Sequence, residues 1–129
     1  MKDYSENELS KILIDCAMKV HRALGPGLLE SAHEACLVYE LKKYTELLVE
    51  QQKPLPLIYE EVNLDVGYRV DILVNRTLIV EIKSADALND VHLAQLLTYL
   101  RLANCRLGLL INFNVQLLKH GIKRVANNL

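Results

Sequence analysis

The sequence predicts an α/β fold, with a mixed central β-sheet flanked by helices. Three observations carry that reading. Residues 68–83 read Y-R-V-D-I-L-V-N-R-T-L-I-V-E-I-K, two β-type runs around a polar turn at Asn75 and Arg76. Val70, Ile72 and Val74 alternate with Arg69, Asp71 and Leu73, and Leu78, Val80 and Ile82 alternate with Ile79, Glu81 and Lys83. A period of two over adjacent runs marks a β-hairpin. Three other stretches repeat apolar residues every three or four positions, the helical spacing. The short apolar run 106–112 comes after the last of these, as a buried strand parallel to a neighbour would. The order is α-α-β-β-β-α-β, with a further edge strand as a candidate.

The first helix starts from a capping box. Ser5 caps it and Glu8 reaches back. Leu9, Ile12, Leu13, Cys16, Val20 and Leu24 then form one apolar face, so the helix spans 6–24. Gly25-Pro26-Gly27 stops it, with Gly25 suited to a positive-φ cap. The second helix is expected from about Leu28 to Tyr44. Glu30 falls in its first turn, where the helix dipole favours a carboxylate. It shares a stripe with His33, Glu34, Leu37 and Leu41, and on spacing alone it reads equally as a surface glutamate.

Residues 47–53 read as a first strand, and Pro54 and Pro56 confine their own segment to an edge or a loop. Residues 58–64 are a weaker strand, joined to the hairpin through a turn at Asp65-Val66-Gly67. After the hairpin, Asn89 or Asp90 caps a third helix that runs to about Ala103. Leu93, Leu96, Leu97 and Leu100 form its apolar stripe, and His92, Gln95, Tyr99 and Leu102 form a second. Residues 115–118 read as a turn or short strand, and 121–125 as a last edge strand. Lys119, His120, Lys123 and Arg124 make a small basic cluster, ordinarily a solvated surface.

Composition narrows the function classes. The chain has 129 residues, read as one domain over 1–129, with 51% hydrophobic and 24% charged residues. The net charge of −1 gives no global basic field, so a nucleic-acid site would be a local patch. Cys16, Cys36 and Cys105 form no C-x-x-C, which argues against a zinc site or disulfide framework. Residues 1–10 are polar and acidic, unlike a secretory leader, and no run approaches a membrane span. A cytoplasmic protein with no membrane partner is the expectation.

The chemistry centres on the hairpin. Glu81 and Lys83 project from one face of a strand. The tight turn brings Asp71 onto the neighbouring strand. Three charges on an otherwise apolar hairpin are costly unless they hold one another or a metal ion. Asp71 and Glu81 would suit Mg²⁺ through hard oxygens, with the Ile82 carbonyl and Glu30 as further ligands. Lys83 would orient the attacking water or stabilise the transition state. Gln95 and Tyr99 would fix the lysine or a substrate phosphate. This is the equipment of metal-assisted phosphodiester hydrolysis.

Asp71, then Glu81-Ile82-Lys83, then Gln95-x-x-x-Tyr99 resembles the PD-(D/E)XK nuclease superfamily, in its branch with a Gln-x-x-x-Tyr helix. Val20-His21 with Leu24-Gly25-Pro26-Gly27-Leu28-Leu29-Glu30 is similar to the GxxExxY protein family. So are Gly108 to Phe113 and Gly121 to Arg124, so the resemblance spans nearly the whole chain. Two departures stand out. His33 occupies the position of the family's tyrosine, and Val70 precedes Asp71 where the superfamily has proline. His33 and His92 are more simply read as packing or surface residues than as pocket groups.

The resemblance implies a restriction-endonuclease-like core and a divalent metal site, Mg²⁺ with Mn²⁺ as a substitute. It implies a nuclease acting on nucleic acid, DNA before RNA, with catalytic residues Asp71, Glu81, Lys83, Glu30, Gln95 and Tyr99. The alternative is a catalytically silent module of the same fold that binds nucleic acid or a partner protein. A third reading takes the charges as a structural ion pair. So small a domain has little surface to grip a long duplex, which makes a homodimer or a protein partner a further expectation.

Overall fold

The computed structural model describes residues 3–129, so the first two residues of the polar N-terminal stretch lie outside it. In chain order the elements are α1 (Glu6–Leu24), α2 (Glu30–Lys42), β1 (Val49–Tyr59), β2 (Val62–Val74), β3 (Leu78–Lys83), α3 (Asp90–Ala103), β4 (Leu107–Asn112) and β5 (Ile122–Ala126). A 3-10 turn, Leu118–Gly121, precedes β5. The five strands form one sheet in the order β1-β2-β3-β4-β5. β3 and β4 run parallel; the other neighbours are antiparallel. This is a mixed-sheet α/β fold of restriction-endonuclease-like architecture, in the expected order.

Local chemistry explains where the helices begin. Ser5 Oγ accepts the Glu8 N–H at 3.1 Å while Glu8 Oε1 accepts the Ser5 N–H at 3.0 Å. Such a cap contributes about 1 kcal/mol. Asn89 and His92 form the same reciprocal box at the start of α3. α2 starts at Glu30, two residues later than its apolar spacing suggests; its N-cap Leu29 offers no side-chain acceptor, and Leu28 and Glu30 bond to Ser84 instead.

The helices form two layers around the sheet. α1 and α2 bury Leu13, Val20, Leu37 and Leu41 against Ile72, Val80, Leu109 and Phe113. α3 buries Leu96, Tyr99 and Leu100 on the other face, against Leu73, Ile79 and Leu110. Tyr99, not Leu97, completes the buried side of α3. β3 is buried on both faces, which is why L-I-V-E-I-K reads as a nearly unbroken apolar run.

The β1–β2 region departs from expectation. β1 continues through Pro54 and Pro56 to Tyr59, which an edge strand permits because its outer N–H groups need no partner. The turn lies at Glu60–Glu61, both at positive φ, and not at residues 65–67. The register is constant up to Leu55 with Tyr68, apart from an unpaired step at Gln52 and Asp71, and shifts before Leu57 with Leu64. Pro56 therefore stands opposite Asp65, Val66 and Gly67, and those three form a bulge. The turn chemistry there is genuine: Gly67 has φ +79° and its N–H donates to Asp65 Oδ1 at 3.2 Å. It bends a strand instead of reversing the chain.

Residues 115–118 form no strand and lead into the 3-10 turn. No helix among the described residues is long and apolar enough to cross a membrane.

Candidate functional site

The site lies where β2 parts from β3. Their ladder pairs Val74 with Leu78, Leu73 with Ile79 and Ile72 with Val80, and stops there. At the next step side chains take over the backbone's hydrogen bonds. Asp71 N–H donates to Glu81 Oε2 at 2.7 Å, and Ile82 N–H donates to Asp71 Oδ2 at 2.8 Å. Each acid thus binds the opposite strand. The strict alternation of β2 breaks at this point. Val70 packs on the α3 side with Leu73, whereas Ile72 and Val74 pack on the α1–α2 side.

Burial and proximity shape the electrostatics. Glu81 is only 5% exposed. That burial, with the Asp71 charge adding to it, pushes its carboxyl up to about 8. The Asp71 N–H and the Lys83 ammonium pull the other way. Burial also raises Asp71, opposed by the Ile82 N–H, the Gln52 amide and Lys83. Two crowded carboxyls held like this favour a proton or a cation between them. Lys83 is half-buried on the same strand as Glu81. Among the described residues it joins no ion pair.

Glu30, the first residue of α2, accepts the Ser84 N–H at 2.9 Å, and the Ser84 hydroxyl donates to Leu28 O at 3.2 Å. The start of α2 is thereby pinned to the residue just after β3. The charge of Glu30 also raises Asp71, so the two carboxylates lie within electrostatic reach. A cleft of about 740 Å³ opens here, lined by Leu28, Leu29, Glu30, Ser31, Glu34, Gln52, Asp71 and Ser84. Glu81, Lys83, Gln95 and Tyr99 do not line it.

From the other layer, Tyr99 lies within electrostatic reach of both acids. Gln95 is exposed one helical turn before the buried Tyr99, whose phenol its amide draws down slightly. Burial, then the Glu81 charge, raises the Tyr99 phenol, whose ring lies 5.8 Å from that of Tyr68.

Glu34 and Gln52 belong to this site, though sequence reasoning does not place them in it. Gln52 Nε2 donates to both Glu34 oxygens, at 3.0 and 3.1 Å, and to Asp71 Oδ1 at 3.3 Å. Gln51 donates to Glu34 as well. Gln52 sits at φ +49°, uncommon for a side-chain-bearing residue, and its backbone leaves a gap in the β1–β2 pairing opposite Asp71. Glu34 was legible in principle, lying one helical turn after Glu30; Gln52 carried no local signal.

His33 and His92 are structural. His33 is fully buried, its Nε2 lies 3.0 Å from Gly25 O, and its ring stacks on Phe113 at 4.4 Å. It ties α2 to the end of α1. His92 Nδ1 accepts the Asn89 N–H at 3.3 Å as part of the α3 cap. Among the described residues, no group of three or more His, Cys, Asp or Glu is arranged to hold a metal ion.

A protein-family model described as the PD-(D/E)XK nuclease superfamily matches residues 7–125. No curated protein and no solved structure matches the chain.

Proposed function

The chain belongs to the PD-(D/E)XK nuclease superfamily, and on that premise we propose a Mg²⁺-dependent nuclease that hydrolyses phosphodiester bonds of DNA, with RNA as the alternative substrate. The observation that carries this reading is the reciprocal lock of Asp71 and Glu81 across the parting of β2 and β3. It holds the buried Glu81 and the half-buried Asp71 together at a cost that a bound cation would relieve.

The types of donor atom here, carboxylate and carbonyl oxygens, are those that Mg²⁺ prefers. Mg²⁺ commonly takes one or two carboxylates and keeps several waters, so it does not need an all-protein cage. Asp71 and Glu81 would hold it, with the Ile82 carbonyl completing the protein ligands and Glu30 acting directly or through water. Mn²⁺ would substitute. Bound there, the cation would acidify a water molecule and offset charge growing on the phosphoryl group.

The chain's own groups do the rest. Lys83, engaged by neither acid in an ion pair, would meet a phosphate oxygen or orient the attacking water. Gln95 and Tyr99 would limit the freedom of Lys83 from the α3 side. Glu30 and Glu34 would keep the cleft acidic, admitting phosphate only with its cation. The three free cysteines suit a reducing cytoplasm.

The test is a cleavage panel over single-stranded, duplex and branched substrates with Mg²⁺, Mn²⁺ and EDTA. Cleavage should require the metal and vanish in Glu81→Ala and Lys83→Ala, with melting retained. Undiminished cleavage in both folded variants would overturn the assignment. A second reading, a silent module of the same fold, is favoured by the absence of a three-ligand cluster among the described residues. It predicts no cleavage on any substrate with either metal.

A further inference from the structure

β1 and β2 run on together well past the sheet they belong to. The last step that β2 shares with β3 is Ile72 opposite Val80, and the tip of the β1–β2 pair is Glu60–Glu61. At ~3.3 Å per residue the pair projects roughly 20 Å beyond the end of β3 at Lys83. On this arm Tyr59, Val62 and Leu64 share one face and are exposed, Tyr59 by 62%, while Ile58, 65% exposed, projects from the other face. A two-stranded ribbon of this kind is marginal in water by itself. Apolar side chains gathered exposed on one face of such a ribbon mark a surface suited to an interaction. The tip carries Glu60, Glu61 and, near it, Asp65, and none of these joins an ion pair among the described residues. Those acids repel phosphate, so the arm is unsuited to gripping nucleic acid. Its partner should be a protein surface that is apolar and basic.

The chain carries such a surface. β4 runs parallel to β3, with Asn112 opposite Lys83, and β5 begins at Ile122 beside Ile111. The 3-10 turn therefore lies at the same end of the sheet as the arm, but at the opposite margin. Leu117 there is 56% exposed, and the exposed Lys119 and Lys123 join no ion pair among the described residues. A two-fold axis perpendicular to the sheet exchanges the two margins. It sets the arm of one copy against the Leu117–Lys123 surface of the other, and does so twice.

We propose that the arm is a dimerisation element that clasps the Leu117–Lys123 surface of a second copy, which reciprocates. Apolar residues of the arm lie against Leu117, and its tip acids meet Lys119 and Lys123. The interface is isologous and closed, so it stops at two subunits. It brings the Asp71–Glu81 ends of the two sheets to face each other across the axis. Topology, exposure and charge carry this dimer, independently of the nuclease reading.

Sedimentation equilibrium of the full chain tests it. The wild-type protein should have twice the chain mass at micromolar concentration. Glu60→Lys with Glu61→Lys, and separately Lys119→Glu with Lys123→Glu, should each weaken self-association at least about tenfold. Both variants should melt like wild type at dilutions where all three are monomeric, since the altered side chains are exposed. Mixing the two should restore a dimer, because every contact in the mixed pair is again between opposite charges. Tyr59→Ser with Val62→Ser should give a folded monomer that mixing does not rescue. A wild-type monomer at 100-fold higher concentration, or a dimer indifferent to all three variants, would overturn the proposal.

Discussion

Asp71 and Glu81 each hold the strand that bears the other. The Glu81 carboxylate accepts the Asp71 N–H at 2.7 Å, and the Asp71 carboxylate accepts the N–H of Ile82, the residue after Glu81, at 2.8 Å. The pair is thus both a joint in the sheet and the centre of the proposed chemistry. One carboxylate oxygen of each acid is committed to backbone, which fixes where the other points.

The lock makes stability depend on pH. The folded state raises Glu81 from 4.5 to about 8, so the native protein holds a proton that the unfolded chain has released. Protons bound in excess by the native state mean that stability falls as pH rises. Metal-free protein should therefore melt progressively lower between about pH 4.5 and pH 8, with Asp71 contributing in the same direction. Melting in EDTA across that range checks it, and Glu81→Gln should flatten the slope. Added Mg²⁺ should raise the melting temperature most at the alkaline end, where the site is ionised.

Gln52 should matter more to turnover than to folding. Its amide positions Asp71 Oδ1 and Glu34 from an exposed place on β1. Gln52→Ala should cost no more than ~1 kcal/mol in urea unfolding. Metal-dependent cleavage should fall by about 10-fold or more, as when groups that orient metal ligands are removed. Measuring cleavage against Mg²⁺ concentration separates weaker metal binding from slower reaction.

Two glycines make a matched comparison. A Cβ on Gly121 would stand 2.2 Å from the Asn112 carbonyl oxygen, which is backbone and cannot swing aside. A Cβ on Gly108 would stand 2.9 Å from Leu96 Cδ1, the end of a side chain. Gly121→Ala should destabilise by about 3 kcal/mol or fail to fold, and Gly108→Ala by about 1–2 kcal/mol. Chemical denaturation of both ranks them.

His33→Phe should separate packing from bonding. The ring stack on Phe113 survives, while the hydrogen bond to Gly25 O is lost, at a cost of about 1 kcal/mol. His33→Ala loses both and opens a cavity, costing about 3 kcal/mol. Cleavage by His33→Phe should match wild type at temperatures where both are folded. A collapse of activity there would move His33 into the chemistry.

Much of this molecule was legible where local rules sufficed. Ser5 with Glu8 marks the start of α1, and of the two candidate caps for α3 it is Asn89 that serves, through a bond with His92 that the sequence did not announce. Asn75 and Arg76 turn the chain between alternating runs, and both adopt positive φ as a tight hairpin turn requires. Asp71, Glu81 and Lys83 stood out because charges on apolar strands need a reason. The β1–β2 arm misleads because Asp65-Val66-Gly67 has the residues of a turn, whereas Glu60-Glu61 does not. The structure uses the first as a bulge beside Pro56 and reverses the chain at the second. Gln52 escapes notice for a different reason. Its role depends on Glu34 and Asp71, eighteen and nineteen residues away, and on an unusual backbone angle that no neighbour announces.

The parallel pairing of β3 with β4 has a consequence for biosynthesis. β3 is apolar, buried on both faces, and open along one edge until residues 107–112 are made. During translation that edge is a sticky template for any other extended chain. A ribosome that stalled, or a protease that cut, between α3 and β4 would release a fragment prone to aggregate. The charged Glu81 and Lys83 of β3 would then serve as gatekeepers, slowing the assembly of a strand whose proper neighbour had yet to emerge.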